Sequence, residues 1–315
     1  MMVDVVIVGG GLSGLAAAWQ LEQQAIPYTL IEVKARMGGS IASLRRDGFI
    51  IDTGPFILYR SGEWAWLRQL GLDDALYEIG RLPHGPQLVA FKDGTQTLVD
   101  ALIAQMRTGS IMPRMAVSTL GRIDDHFAVC LENGMVIQAA ALIVAAPARY
   151  AERMFYTFVP EVSAILLGFR YDTITRVSLG YPEGAIPIPI EPPPDAGFAF
   201  GRWTDSEHRV PPGHVLVQVG VRYPLNRATP EQIIAELQKD MGWPTNHVVS
   251  SVNFWPESHC LNPHHDEHEA TMQAIDALLP QGVALIGSDY HGWRVEDRIE
   301  QGLSAARQIA AWLGQ

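Results

Sequence analysis

Residues 3–39 read VDVVIVGGGLSGLAAAWQLEQQAIPYTLIEVKARMGG, and this stretch decides the fold. Val3-Asp4-Val5-Val6-Ile7-Val8 is a short, largely β-branched apolar run, the pattern of a strand buried on both faces of a parallel sheet. Gly9, Gly11 and Gly14 follow in the spacing G-x-G-x-x-G. Leu12 to Glu22, rich in Ala and Leu, reads as a helix, and Tyr28-Thr29-Leu30-Ile31 as a second strand with Glu32 at its end. Gly9 permits a sharp turn, Gly11 removes a side chain where a pyrophosphate approaches, and Gly14 lets helix and strand pack closely. Leu12 and Ser13 open a helix whose first N–H groups and partial positive charge suit phosphate. Glu32, 18 residues after Gly14, is placed to accept ribose hydroxyls and to repel a 2′-phosphate, which disfavours NADP. Glycine clusters alone make ordinary turns; strand, glycines, helix, strand and acid in register make a dinucleotide-binding unit.

The next segment bears on which dinucleotide. Glu32-Val33-Lys34-Ala35-Arg36-Met37-Gly38-Gly39 resembles the second glycine motif of the flavin amine oxidase superfamily, which includes amine oxidases, protoporphyrinogen oxidases and carotenoid desaturases. The resemblance implies FAD, with Val33 beside the ribose acid and Arg36 and Gly38-Gly39 at the diphosphate. A guanidinium suits phosphate and paired glycines allow close backbone approach. Many members continue with Arg, whereas this chain has Ser40. The continuation GGSIASLRRDGFIIDTGPFIL is more similar to the protoporphyrinogen oxidase and desaturase branches, in which the segment ending at Gly54-Pro55 reaches the flavin ring. The same resemblance assigns Val117 to a backbone contact with adenine, and Ala145 and Pro147 to the strand end that closes over the dinucleotide. It assigns Gly287-Ser288-Asp289 to a turn at the ribityl or pyrophosphate. Arg294 and Val295 then open a helix whose N-terminus points at the flavin C2 carbonyl, stabilising negative charge on the reduced ring.

The expected fold is α/β: a Rossmann-like FAD-binding domain of the glutathione-reductase type, a parallel sheet plus β-meander, with a smaller α+β substrate domain inserted. The expected boundaries are 1–55, 88–148 and 259–315 for the first, and 56–87 and 149–258 for the second. Met115–Leu120, Phe127–Leu131 and Met135–Gln138 read as strands, the last two joined by the turn Glu132-Asn133-Gly134. Ala140–Pro147 reads as a further buried strand. A helix is expected after Leu98, running to about Met106. Trp64–Leu70 also reads as a helix, its tryptophans better suited to the core than to a pocket. In the second domain, strands are expected at Arg176–Tyr181, Gly197–Gly201, His214–Val221 and Val252–Pro256. The proline-rich stretch Pro182–Pro194 reads as an extended connection. Thr229-Pro230-Glu231-Gln232 carries the signature of a capped helix start. Arg209–Leu216 resembles a step of the protoporphyrinogen oxidase substrate domain. Val283–Ile286 is a strand, and Val295 to Leu313 an amphipathic helix.

Whole-chain properties bound the function. The 315 residues are 48% hydrophobic, enough for a sizeable core, with no apolar run of transmembrane length. The net charge of −11, with three Lys against 20 Arg, argues against a nucleic-acid partner. The N-terminus runs straight into a strand, and Cys130 and Cys260 form no disulfide or zinc pattern, so a cytoplasmic address is expected. His264 and His268 lie at the start of an acidic helix and not in a metal-binding order; no metal is expected. The lysine that amine oxidases hold near the flavin has no counterpart around Glu161–Ala164.

These readings converge on an FAD-dependent oxidoreductase. A bulky apolar or aromatic, or amine-type, small-molecule substrate would pass a hydride to flavin N5, with O2 or a quinone as reoxidant. An isomerase or mutase without net oxidation, and a non-catalytic FAD-binding subunit, are the alternatives. FAD is expected to be noncovalent, with Cys260 as the competing covalent anchor. Trp255, Tyr59 and His291 are candidate pocket walls, no catalytic side chain is assigned, and the oligomeric state is left open. Flavin oxidations ask orientation, dryness and charge stabilisation of the protein, so the lack of a catalytic triad is no objection.

Overall fold

The computed structural model describes residues 2–186, 201–204, 208–221, 229–257 and 260–314. The chain forms two compact units: Met1–Ile41, Leu98–Arg170 and Cys260–Gln315 in one, Ala42–Thr97 and Tyr171–His259 in the other. This grouping places 42–55 and 88–97 with the second unit and 149–170 with the first, where the sequence reading divides the chain at other points.

The first unit is built on the glycine-rich stretch. Its sheet runs in the order Ser110–Pro113, Tyr28–Glu32, Met2–Val8, Val136–Val144, His126–Leu131, Val117–Ile123, with Val283–Leu285 also paired to Val136–Val144. Val5 to Val8 are between 0% and 4% exposed, as their apolar run requires. The first strand is parallel to both neighbours, pairing Val8 with Ile31 on one side and Val144 on the other. Val144 in turn pairs with Leu285. The carboxyl ends of four parallel strands therefore align, which is where open α/β sheets bind ligands.

Two expected strands, Met135–Gln138 and Ala140–Pro147, are one continuous strand, Val136–Val144. Its first half pairs antiparallel with His126–Leu131, and its second half pairs parallel with Val283–Leu285. The change of partner happens within one extended segment, so the local sequence carries no break. The parallel strand Ser110–Pro113 has no counterpart in the sequence reading; its edge position leaves it largely exposed, without a buried apolar run.

Two helices cover the glycine turn. In Leu12–Gln23 every residue from Leu12 to Leu21 is buried, which suits its Ala-rich sequence. Against it packs Val295–Leu313. The approach depends on Gly302, where a Cβ would stand 2.3 Å from the Ser13 carbonyl oxygen and 2.7 Å from the Ala16 Cβ.

The second unit holds an antiparallel sheet ordered Gly201–Thr204, His214–Val221, Ile174–Pro182, Val249–Trp255. One face packs Val177, Leu179, Tyr181, Val217 and Val219 against Ile233 and Leu237 of the helix Pro230–Met241. That helix starts as read: Thr229 accepts from the Gln232 N–H and the Gln232 side chain accepts from the Thr229 N–H. The opposite face receives Phe49, Ile51 and Phe56. Trp66 is fully buried and its ring stacks on Trp64 at 5.2 Å, which makes the pair packing. Residues 187–200 lie outside the described residues, and with them most of the proline-rich stretch and of the expected strand Gly197–Gly201.

Candidate functional site

The strand ends of the first unit carry four chain segments that the sequence separates widely. Glu32, 5% exposed, accepts the Gly10 N–H at 2.7 Å on one oxygen and the Lys34 N–H at 2.8 Å on the other. It therefore fixes the glycine turn to the second strand, and a carboxylate retains lone pairs for further donors. Gly9 sits at φ +106 against the Ala145 carbonyl oxygen, which a Cβ would meet at 2.6 Å. In the first helix the Leu15 N–H bonds to the Gly11 carbonyl at 2.9 Å. The N–H groups of Leu12, Ser13 and Gly14 thus lie ahead of the first helical bond, free of intrahelical carbonyls.

The second glycine pair faces this helix end. Gly38 and Gly39 have φ of +100 and +60, and the Gly38 N–H bonds to the Gly10 carbonyl at 2.7 Å. A Cβ on Gly39 would stand 3.1 Å from the Gly11 Cα, and the atom nearest a Cβ on Gly11 is the Gly39 Cα at 4.0 Å. Two bare backbones therefore line one slot, and side chains on them would fill it. Arg36 holds the rim: its guanidinium donates to the carbonyls of Met37, Gly39 and Ile41 at 2.8–3.1 Å. Burial pulls the Arg36 guanidinium below its ordinary value and the Glu32 charge opposes this. Ser40 is half-buried beside the slot, and Val33 turns an exposed side chain to solvent.

On the far side of the first strand the third and fourth segments meet. Asp289, 1% exposed, accepts the Ala148 N–H at 2.9 Å and the Ser288 hydroxyl at 3.1 Å. Tyr290 donates its hydroxyl to the Ala146 carbonyl at 2.8 Å. Residues 145–148 are thus held to 287–290, with Ala145, Pro147, Gly287 and Ser288 all half-buried along the edge. Gln301 braces the turn, accepting from the Gly287 N–H at 3.0 Å and donating to the Gly292 carbonyl at 2.8 Å. Arg294 is the N-cap of the last helix and exposed, and Val295 is buried in its first turn. Val117, 9% exposed, opens the strand that follows Met115, whose N–H bonds to the Glu32 carbonyl at 3.0 Å.

Sequence reading missed the bracing residues Gly10, Tyr290 and Gln301, and also Arg298. Burial lowers the Arg298 guanidinium, and the charges of Asp289, Asp297 and Glu296 oppose this. Gly10 and Tyr290 act through partners distant in sequence, and only the G-x-G-x-x-G spacing hinted at Gly10. Cys260 is 7% exposed. Burial, together with the Asp289 charge, pushes its thiol up to about 12. At neutral pH it is a thiol and not the nucleophilic thiolate that covalent attachment needs.

The remaining candidates belong to both units. His291 is 3.4 Å from Asp276 and lines an open cleft of about 310 Å³ beside the helix His268–Leu278, with His268, Met272, Tyr290 and Trp293. Tyr59 and Trp255 are half-buried residues of the second unit, as are the buried Gly54 and half-buried Pro55. Among the described residues no cluster of His, Cys, Asp or Glu is arranged to hold a metal. No described helix is long and apolar enough to cross a membrane.

The family model for flavin-containing amine oxidoreductases matches residues 78–310, and that for an NAD(P)-binding Rossmann-like domain matches residues 7–70. The coproporphyrinogen III oxidase of Bacillus subtilis (strain 168) is 21% identical over 472 aligned positions that cover 98% of each chain. That alignment is longer than the 315 residues here, so the relative carries segments this chain lacks. A solved structure from Exiguobacterium sp. 255-15, assigned as a protoporphyrinogen oxidase, superposes with a TM-score of 0.79 at 15% identity, over 99% of both chains. Reduced UDP-galactopyranose mutase superposes at 0.73 and 13% identity, over 100% of this chain and 95% of the other. At such identities the two structures show a shared fold.

Proposed function

Since the chain belongs to the family of flavin-containing amine oxidoreductases and is an FAD-dependent enzyme, we propose that it oxidises a bulky apolar or aromatic small molecule of the porphyrinogen type. The observation that carries the cofactor part of this reading is the facing of Gly11 and Gly39, where a Cβ on Gly39 would stand 3.1 Å from the Gly11 Cα. Diphosphate would be held there by the N–H groups of Leu12, Ser13 and Gly14 and by Arg36. Glu32 and Val33 would take the adenosine ribose, Val117 the adenine, and Ala145, Pro147, Gly287, Ser288 and Asp289 the far side. FAD bound there would supply the hydride acceptor at flavin N5, with O2 or a quinone as the proposed reoxidant. The chain's own part is electrostatic: the N-terminus of Val295–Leu313 offers positive potential, and Arg298 adds a cation beside Asp289.

The 98% coverage of the coproporphyrinogen III oxidase supports a porphyrinogen over a simple amine, as does the lack of Lys in residues 161–164. The inert Cys260 thiol supports noncovalent FAD, and both cysteines being free supports a reducing compartment such as the cytosol. The visible spectrum of purified protein, recorded before and after heat denaturation and filtration, tests the cofactor. Flavin is expected in the filtrate, and flavin retained on the protein would overturn noncovalent binding. Anaerobic addition of coproporphyrinogen III is then expected to bleach the flavin band. Bleaching by a monoamine and not by the porphyrinogen would overturn the substrate class, and product isomerisation without net oxidation would overturn the reaction.

A further inference from the structure

Among the described residues, the second unit contains a half-buried cation, Arg176, with no carboxylate at ion-pair distance. Arg176 lies on the strand Ile174–Pro182, on the sheet face opposite the apolar cluster of Val177 and Leu179. Its guanidinium donates to the Gly54 carbonyl, and its Cζ stands 5.0 Å from the centre of the Phe56 ring. Burial lowers it to about 10, and the Asp52 charge opposes this. Asp52 is already committed elsewhere. One of its oxygens accepts from the Ser43 hydroxyl and the Thr95 N–H. The other accepts from the Thr95 hydroxyl and from Arg209, whose Nη1 is 2.6 Å away with both side chains buried. Four donors fill a carboxylate. Among the described residues, Arg176 has no carboxylate within ion-pair distance. Two guanidinium groups thus share the charge of one acid, and a buried charge in excess is costly unless an anion meets it.

The surroundings say what kind of anion fits. As a whole residue Arg176 is half-buried. An arginine has five N–H donors in a planar fork that matches a carboxylate. Directly across the sheet from Arg176 is the half-buried Asn253, whose amide donates to the Ser251 hydroxyl at 2.6 Å and keeps a second N–H. The next pair on the same face, Ile174 and Trp255, is apolar. A carboxylate carried on an apolar or aromatic body suits this juxtaposition, and a free cationic amine does not.

We propose that Arg176, supported by Asn253, is an anion-binding residue of the substrate unit that takes a carboxylate borne by the substrate. This deepens the proposed function and rests on it for the word substrate. Calorimetric titration of the FAD-loaded protein with benzoate and with its neutral isostere benzamide tests the assignment. Benzoate is expected to bind about tenfold more tightly, the worth of one charge-assisted pair. R176Q is expected to abolish that preference, and R176K to weaken benzoate severalfold without moving benzamide, since ammonium lacks the planar fork. R176M is expected to leave the melting temperature unchanged or raised, because it removes an uncompensated charge. Equal binding of both probes by the wild type, or a benzoate preference that survives R176Q, overturns the assignment. So does a melting temperature lowered in R176M with the preference intact, which is the signature of a structural tie to Gly54. Yellow protein without benzoate preference overturns this inference alone. Colourless protein that still prefers benzoate overturns the flavin reading alone.

Discussion

A single methyl group is the sharpest probe of the slot. Gly39→Ala would place a Cβ 3.1 Å from the Gly11 Cα at a φ of +60, adding a side chain where two backbones face each other. Loss of at least about tenfold in FAD affinity is expected, while the strain itself costs only about 1 kcal/mol. Flavin content and apo-protein melting separate the two effects. Glu22 offers a residue-level test by pH. Its carboxylate accepts the N–H groups of Arg107, Thr108 and Gly109 and the hydroxyls of Thr108 and Tyr28. Burial would raise it, but these donors bring it from an ordinary 4.5 down to about 2. Its stabilisation is therefore present above pH 4.5 and lost as the pH falls toward 2. Glu22→Gln is expected to cost roughly 1–2 kcal/mol at neutral pH, with the gap to wild type closing on acidification in a denaturation series. Glu32 was legible in the sequence because its place at a strand end is local. Glu22 was not, since the backbone N–H groups that it accepts lie 85 to 87 residues away.

At the scale of elements, the contact between Leu12–Gln23 and Val295–Leu313 orders the site edge. Gly302→Val would drive a side chain into the Ser13 carbonyl and Ala16. Overpacking of this kind costs about 1–3 kcal/mol. Both the thermal midpoint and flavin retention are expected to fall together; retained flavin with a lowered midpoint would show that the helix pair does not position the cofactor. The helix Pro230–Met241 gives a control away from that edge. Thr229→Ala removes its capping box and is expected to cost about 1 kcal/mol with flavin content unchanged. The start of Pro230–Met241 is legible from its capping box and Val295–Leu313 from its 3.6-residue periodicity, because both signals are written within the segment. Strands were read less well. Val136–Val144 was split in two, and Ser110–Pro113 passed unnoticed, because pairing partners are not encoded in a strand's own residues.

For the whole molecule, cofactor binding and stability are linked. A ligand that binds only the folded state adds about 2.7 kcal/mol at a hundredfold excess over its Kd. Holo-protein is expected to melt higher than protein stripped of flavin, by an amount that rises with added FAD and does not respond to NADP. Equal midpoints for the two forms would contradict the cofactor site. The acidic chain, with its net charge of −11, also favours an uncharged or locally recognised substrate over long-range attraction of anions. Recognition of a carboxylate would then rest on the short-range geometry at Arg176.

The sequence by itself determined the dinucleotide unit, its glycine turn and acid, the family resemblance and the paired glycines after Glu32. Each of these depends on residue type at a fixed short spacing, which backbone sterics alone enforce. Only the tertiary structure decided that Gly39 faces Gly11, that Asp289 holds Ala148 and that Tyr290 closes on Ala146. It alone left Arg176 beside an acid already filled by Arg209. Those facts depend on which distant segments meet when apolar faces are buried, and the balance of charge at a point in space is not a property of any stretch of chain.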